Sequence, residues 1–94
     1  MSEANKITGT PLFPLGRIVV TPGALALSVD FHPYLAMHQQ GYWGDISQED
    51  WQENDLSVKN GFRILSVYEV ENGRFWVITE NDRSITTILR PEEY

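Results

Sequence analysis

The stretch Glu80-Asn81-Asp82-Arg83-Ser84 packs two carboxylates, a guanidinium, an amide and a hydroxyl into five residues. Such a set could hold a small anion, or a base in a deaminase or nuclease. The same residues are also good turn formers, because Asn and Asp tolerate the left-handed region and bond their own backbone. Turn chemistry is the preferred reading. A second set is acidic: Asp45, Glu49, Asp50, Glu53 and Asp55 fall within eleven residues with no basic residue among them. A negative surface of this kind binds a basic protein or stands in for nucleic-acid phosphates. Its structural alternative is a solvated helix face whose acids suit the helix N-terminus.

Trp43 lies just upstream, in Tyr42-Trp43-Gly44-Asp45. Large aromatics beside Gly in a loop can form a binding hot spot, or can plug the edge of the core. Asp55 shares the Trp51/Val58 face of the following helix, where a buried carboxylate needs a partner. Arg63 or Arg83 could supply one as a helix-to-sheet ion pair.

Other chemistries find no footing. His32 and His38 are six residues apart, some 240° around a helix, a poor geometry for one metal. There is no His-x-x-x-His and no phosphate-binding glycine loop. The absence of cysteine excludes disulfides, thiolate catalysis and Cys-ligated metals. No catalytic residue, metal site or cofactor is implied.

These residues must be positioned by local elements. Thr21-Pro22 is a helix-start signature, Thr as N-cap and Pro in the first turn. A second short helix restarts at Pro33 and stops at Gly41. A third starts at Ser47, with Asp50 completing a capping-box-like arrangement, and stops at Gly61. Arg17-Ile18-Val19-Val20 is a short β-branched run and reads as a strand. From Gly61 to Tyr94 the chain reads as a three-stranded antiparallel meander. Asn72-Gly73 is its strongest turn signal, expected as a two-residue type I′ loop.

That loop would set Glu71 opposite Arg74, Val70 opposite Phe75, Tyr68 opposite Val77 and Ser66 opposite Thr79. One face then carries Leu65, Val67, Trp76, Ile78, Ile85 and Leu89. The other carries Ile64, Tyr68, Val70, Phe75, Val77 and Ile88, mixed with Ser66, Thr79 and Thr86. A sheet apolar on both sides needs two covers, or a partner. Homodimerisation is one way to supply it.

The 94 residues suit one domain, with residues 1–10 as a flexible polar tail and 11–94 as a single α+β unit. Net charge is −6 and the seven basic residues are scattered, which argues against nucleic acid as the partner. No run is long and apolar enough to span a membrane, and no secretory signal is evident. The cytoplasm is the expected compartment.

From Leu12 to Tyr94 the chain resembles a family of small uncharacterised bacterial proteins carried on plasmids and integrative conjugative elements. The residues that carry the resemblance are Phe13-Pro14-Leu15-Gly16-Arg17-Ile18-Val19, Thr21-Pro22-Gly23-Ala24-Leu25, Gly44-Asp45 after an aromatic, Asn54-Asp55 and Gly61. With them go Trp76 to Glu80, Asp82-Arg83-Ser84, Thr86-Thr87 and the tail Pro91-Glu92-Glu93-Tyr94. The resemblance implies the company of mobile DNA, hence conjugation, maintenance or evasion of host defence, and no activity.

The expectation is therefore a small antiparallel meander of three to four strands with two or three short helices packed on it. The function expected is that of a non-enzymatic accessory protein working by protein–protein contact through Trp43, Asp45, Glu49, Asp50 and Glu53. The competing readings are a nucleic-acid-processing enzyme or toxin using Glu80, Asp82 and Arg83, and a nucleic-acid-binding module.

Overall fold

A computed structural model describes residues 10–94, so the flexible-tail reading of residues 1–9 lies outside the described residues. The elements run β1 (Arg17–Val20), α1 (Pro22–Leu25), α2 (His32–Gln39), α3 (Gln48–Asn60), β2 (Ile64–Val70), β3 (Gly73–Thr79) and β4 (Ile85–Leu89), then a 3-10 turn at Pro91–Glu93. The fold is α+β: one four-stranded sheet with three short helices packed on it.

The helix starts follow from local chemistry. Thr21 accepts the Ala24 amide and Pro22 occupies the first turn of α1. Ser47 accepts the Asp50 amide at the start of α3, with Glu49 and Asp50 beside the positive end of the dipole. Gly61 closes α3 in the left-handed conformation, at φ 75°. Pro33 sits in the first turn of α2, as the restart requires.

β2, β3 and β4 form the antiparallel meander, and β1 joins it on the far side of β4, in the order β1-β4-β3-β2. The β1–β4 pairing is parallel, so the sheet is mixed. The long connection through α1, α2, α3 and the meander makes this topology natural, since a parallel neighbour cannot be reached by a tight turn.

The hairpin register differs from expectation. Val70 pairs with Gly73, Tyr68 with Phe75 and Ser66 with Val77. The two loop residues are thus Glu71 and Asn72, and Asn72 does not take a positive φ. Gly73 does, at φ 144°, where a side chain would press on Leu27. Asn72 instead donates from its amide to the Leu27 carbonyl. The slip is two residues, so every side chain keeps its face.

The helices cover one face. Its core holds Ala24, Leu27, Tyr68, Phe75, Val77 and Ile88, with Phe31, Tyr34 and Leu35 packed on it. A second cluster of Phe13, Trp43 and Ile64 lies beside the first. On the opposite face the C-terminal residue contributes, with the Tyr94 ring 5.4 Å from Trp76 and Arg63 over the Tyr94 ring. Glu93 ties this terminus down. Its carboxylate accepts from the Thr21 hydroxyl at 2.6 Å, the Gly23 amide at 3.0 Å and the Arg90 amide at 2.8 Å.

Candidate functional site

The most concentrated polar chemistry is buried between the two apolar clusters. His38 is fully buried. Its Nδ1 lies 2.5 Å from Ser66 Oγ and its Nε2 lies 2.9 Å from Thr79 Oγ1. Thr79 Oγ1 is in turn 2.7 Å from Thr86 Oγ1, which donates to the Leu15 carbonyl. The proton directions follow by elimination. A carbonyl only accepts, so Thr86 spends its hydrogen on Leu15. Thr79 must then donate to Thr86, and its oxygen is left to accept from His38 Nε2–H. Nδ1 of the neutral ring accepts from the Ser66 hydroxyl. Every donor points one way along the row.

This arrangement holds a neutral imidazole. Burial, with the nearby Arg83 charge second, pushes the His38 pKa down to about 3. The rings of Phe13 and Trp43 stand nearly perpendicular to the imidazole and close around it. Ser66, Thr79 and Thr86 are also fully buried. A Ser–His contact this enclosed has no room for a substrate, so its role is to satisfy polar groups within an apolar layer.

The Glu80–Ser84 turn is likewise occupied by the fold. Asp82 Oδ1 accepts from both the amide and the hydroxyl of Ser84, and these bonds, the hydroxyl foremost, hold its carboxyl below the usual range. Arg83 takes a left-handed φ of 62°. Its guanidinium then reaches the Ser57, Phe62 and Glu80 carbonyls at 2.9, 2.7 and 3.1 Å. It therefore caps the negative end of α3. Glu80, Asp82 and Arg83 are neighbours, but the cation faces the helix end and not an open pocket. Arg83→Gly would relieve the backbone and remove these bonds. We expect a net loss of about 1–2 kcal/mol in urea denaturation.

The aromatic loop corrects the expected contact surface. Trp43 is fully buried, stacked 6.2 Å from Phe13, and cannot touch a partner. The cause is Gly44, which allows the chain to lie against β2: the Val67 amide donates to the Trp43 carbonyl and the Asp45 amide to the Val67 carbonyl. The indole Nε1–H donates to Asp55 Oδ1 at 3.1 Å. Asp55 is thus a neutral donor's partner, and the expected ion pair with Arg63 or Arg83 does not form. Asn54, beside it in the Asn54-Asp55 pair, points to a different neighbour. Buried on the inner face of α3, it donates to the Leu65 carbonyl and accepts the Leu65 amide. Together these contacts cover much of the outer edge of β2.

Two accessible features remain. Glu49, Asp50 and Glu53 are exposed on α3. Glu49, Glu53 and Leu56 share its outer stripe, the first and last seven positions apart, nearly two full turns. Leu56 is 52% exposed at the C-terminal end of this stripe, one turn beyond Glu53 and one turn before Lys59. Asp45 is separate from them, paired at 3.0 Å with Arg74, which also binds Glu69. The second feature is a half-open apolar cleft of about 350 Å³ beside β1, lined by Ile18, Val20, Phe31, Leu35 and Ile88, with Asp30 and His32 at its rim. Among the described residues no group of three His, Cys, Asp or Glu side chains could hold a metal. No helix there is long and apolar enough to cross a membrane.

No known family, curated protein or solved structure matches this chain.

Proposed function

We propose that this domain works by protein–protein contact through the outer face of α3. The observation that carries the reading is Leu56: a large apolar side chain held in solvent one turn beyond Glu53 on the stripe that begins at Glu49, with Asp50 and Phe62 also exposed. An apolar side chain at the end of an acidic stripe suits a basic partner with an apolar anchor. The groups that could have served catalysis support the same reading, because His38 and Arg83 are spent on the fold. The setting of a mobile genetic element, with maintenance or evasion of host defence as the task, follows from the family resemblance alone.

Chemical cross-linking of the tagged domain in its bacterial host tests the reading. Capture of a defined partner should fall several-fold between low and high salt, since exposed charges are screened beyond about 10 Å at 0.1 M. It should fall further with Leu56→Asp. Capture indifferent to both would overturn it.

A further inference from the structure

The free edge of β1 is self-complementary, and we propose that two copies of this chain pair there as a two-fold dimer with one continuous sheet. The Arg17 and Thr21 amides point inward, donating to the Ser84 and Ile88 carbonyls of the parallel neighbour β4. Backbone direction alternates along a strand, so Ile18 and Val20 send both N–H and C=O outward. Among the described residues nothing pairs with them. Ile18 and Val19 are 39% and 36% exposed. The outer edge of β2 is covered by Trp43, Asp45 and Asn54, whereas among the described residues β1 has no such cover.

An antiparallel second copy fits this edge in one register. Ile18 faces the partner's Val20, and Val20 faces the partner's Ile18, each pair exchanging two hydrogen bonds. Val19 then lies on the two-fold axis opposite its own copy. Charge supports the same register. Arg17 comes opposite the partner's Thr21, whose hydroxyl holds the Glu93 carboxylate. Arg17 and Thr21 lie on one face of the strand, two residues either side of Val19. Each copy therefore brings a cation to the other's anion, twice by symmetry. On the opposite face the partner's Ile18 and Val20 would wall the open side of the apolar cleft, which Ile18 and Val20 already line. Such a joint is small, so the dimer should be reversible.

Sedimentation equilibrium of the full chain should show mass rising from monomer towards dimer over roughly 0.01–1 mM, the range of a small interface. Ile18→Pro removes an outward amide and leaves every β1–β4 bond, as edge strands tolerate, and should return the mass to monomer with circular dichroism unchanged. Independently of that variant, the cysteine-free chain allows a direct reading of the register. Opposed residues of a non-hydrogen-bonded pair have Cα atoms about 4.5 Å apart, within disulfide reach. Val19→Cys should oxidise to a covalent dimer at least tenfold faster than Thr87→Cys, its neighbour one strand inward. A chain that stays monomeric throughout this range would overturn the proposal. So would a dimer that shows no preference for cross-linking at position 19.

Discussion

Gly44→Ala should leave the domain largely unfolded at 25 °C. Gly44 has a φ of 85°, and a Cβ there would run into the Val67 carbonyl, with Tyr68 Cδ1 2.9 Å away. Neither neighbour can yield. Val67 is a sheet residue held by Trp76 across the ladder, and the Tyr68 hydroxyl is fixed to the Tyr42 carbonyl at 2.6 Å. The Trp43–Val67 and Asp45–Val67 hydrogen bonds would break together, and Trp43 would leave the core. Strain, two lost bonds and a displaced indole sum to more than about 4 kcal/mol. That is most of the stability of a domain this size. Gly61→Ala is the matching control. It shares a positive φ of 75°, but nothing lies within 4 Å of its Cβ. It should cost only about 1 kcal/mol. Urea midpoints of the two variants against the wild type give the comparison. Equal effects would show that the Gly44–Val67 contact matters little.

The second large effect is acid sensitivity. His38 is neutral when folded, with its pKa pushed down to about 3, against an ordinary 6.5 when unfolded. Between these values the unfolded chain binds a proton that the folded chain refuses, so stability rises with pH there. The His38 contribution is fully present above pH 6.5 and is lost as pH falls towards 3. Over the whole window the loss is on the order of 5 kcal/mol, and about 2 kcal/mol of it falls between pH 6.5 and 5. The depressed carboxyls of Asp30, Asp82 and Glu93 act lower, below their ordinary 3.8–4.5. The upper part of the window therefore isolates His38. Denaturation at pH 7.5, 6 and 5 should show the slope in the wild type. His38→Leu should flatten it, while costing about 2–4 kcal/mol at pH 7.5 by orphaning the Ser66 and Thr79 hydroxyls. A slope that survives His38→Leu would place the proton uptake elsewhere.

The sequence carried the elements better than their joints. Caps at Thr21, Ser47 and Gly61 are local chemistry and are legible from neighbours alone. Face assignment survived a wrong hairpin loop because a two-residue slip preserves alternation. The parallel seat of β1 is set by contacts some seventy residues apart in the chain, which no local pattern reports. Of the two roles open to Trp43, hot spot or plug at the core edge, burial selects the plug, again through a distant contact. Its burial depends on Gly44 meeting Val67, a pairing invisible in the loop itself. Ser66, Thr79 and Thr86 were visible as polar intruders on an apolar face. What was missing was the imidazole from α2 that joins them diagonally. The Glu80–Ser84 turn was legible as turn chemistry. That Arg83, and not Asn or Asp, would adopt the left-handed conformation depends on the end of α3 being within its reach.

The proposed function places the contact on the outer face of α3 and not in the polar turn. One measurement separates these directly: quantitative cross-linked capture from the host with two variants run beside the wild type. The first is Glu49→Lys/Asp50→Lys/Glu53→Lys, on exposed side chains. The second is Glu80→Gln/Asp82→Asn, in the turn. With both variants folded by circular dichroism, the α3 variant should lose capture at least tenfold and the turn variant should keep it. Full capture by the α3 variant, or loss in the turn variant alone, would contradict the claim.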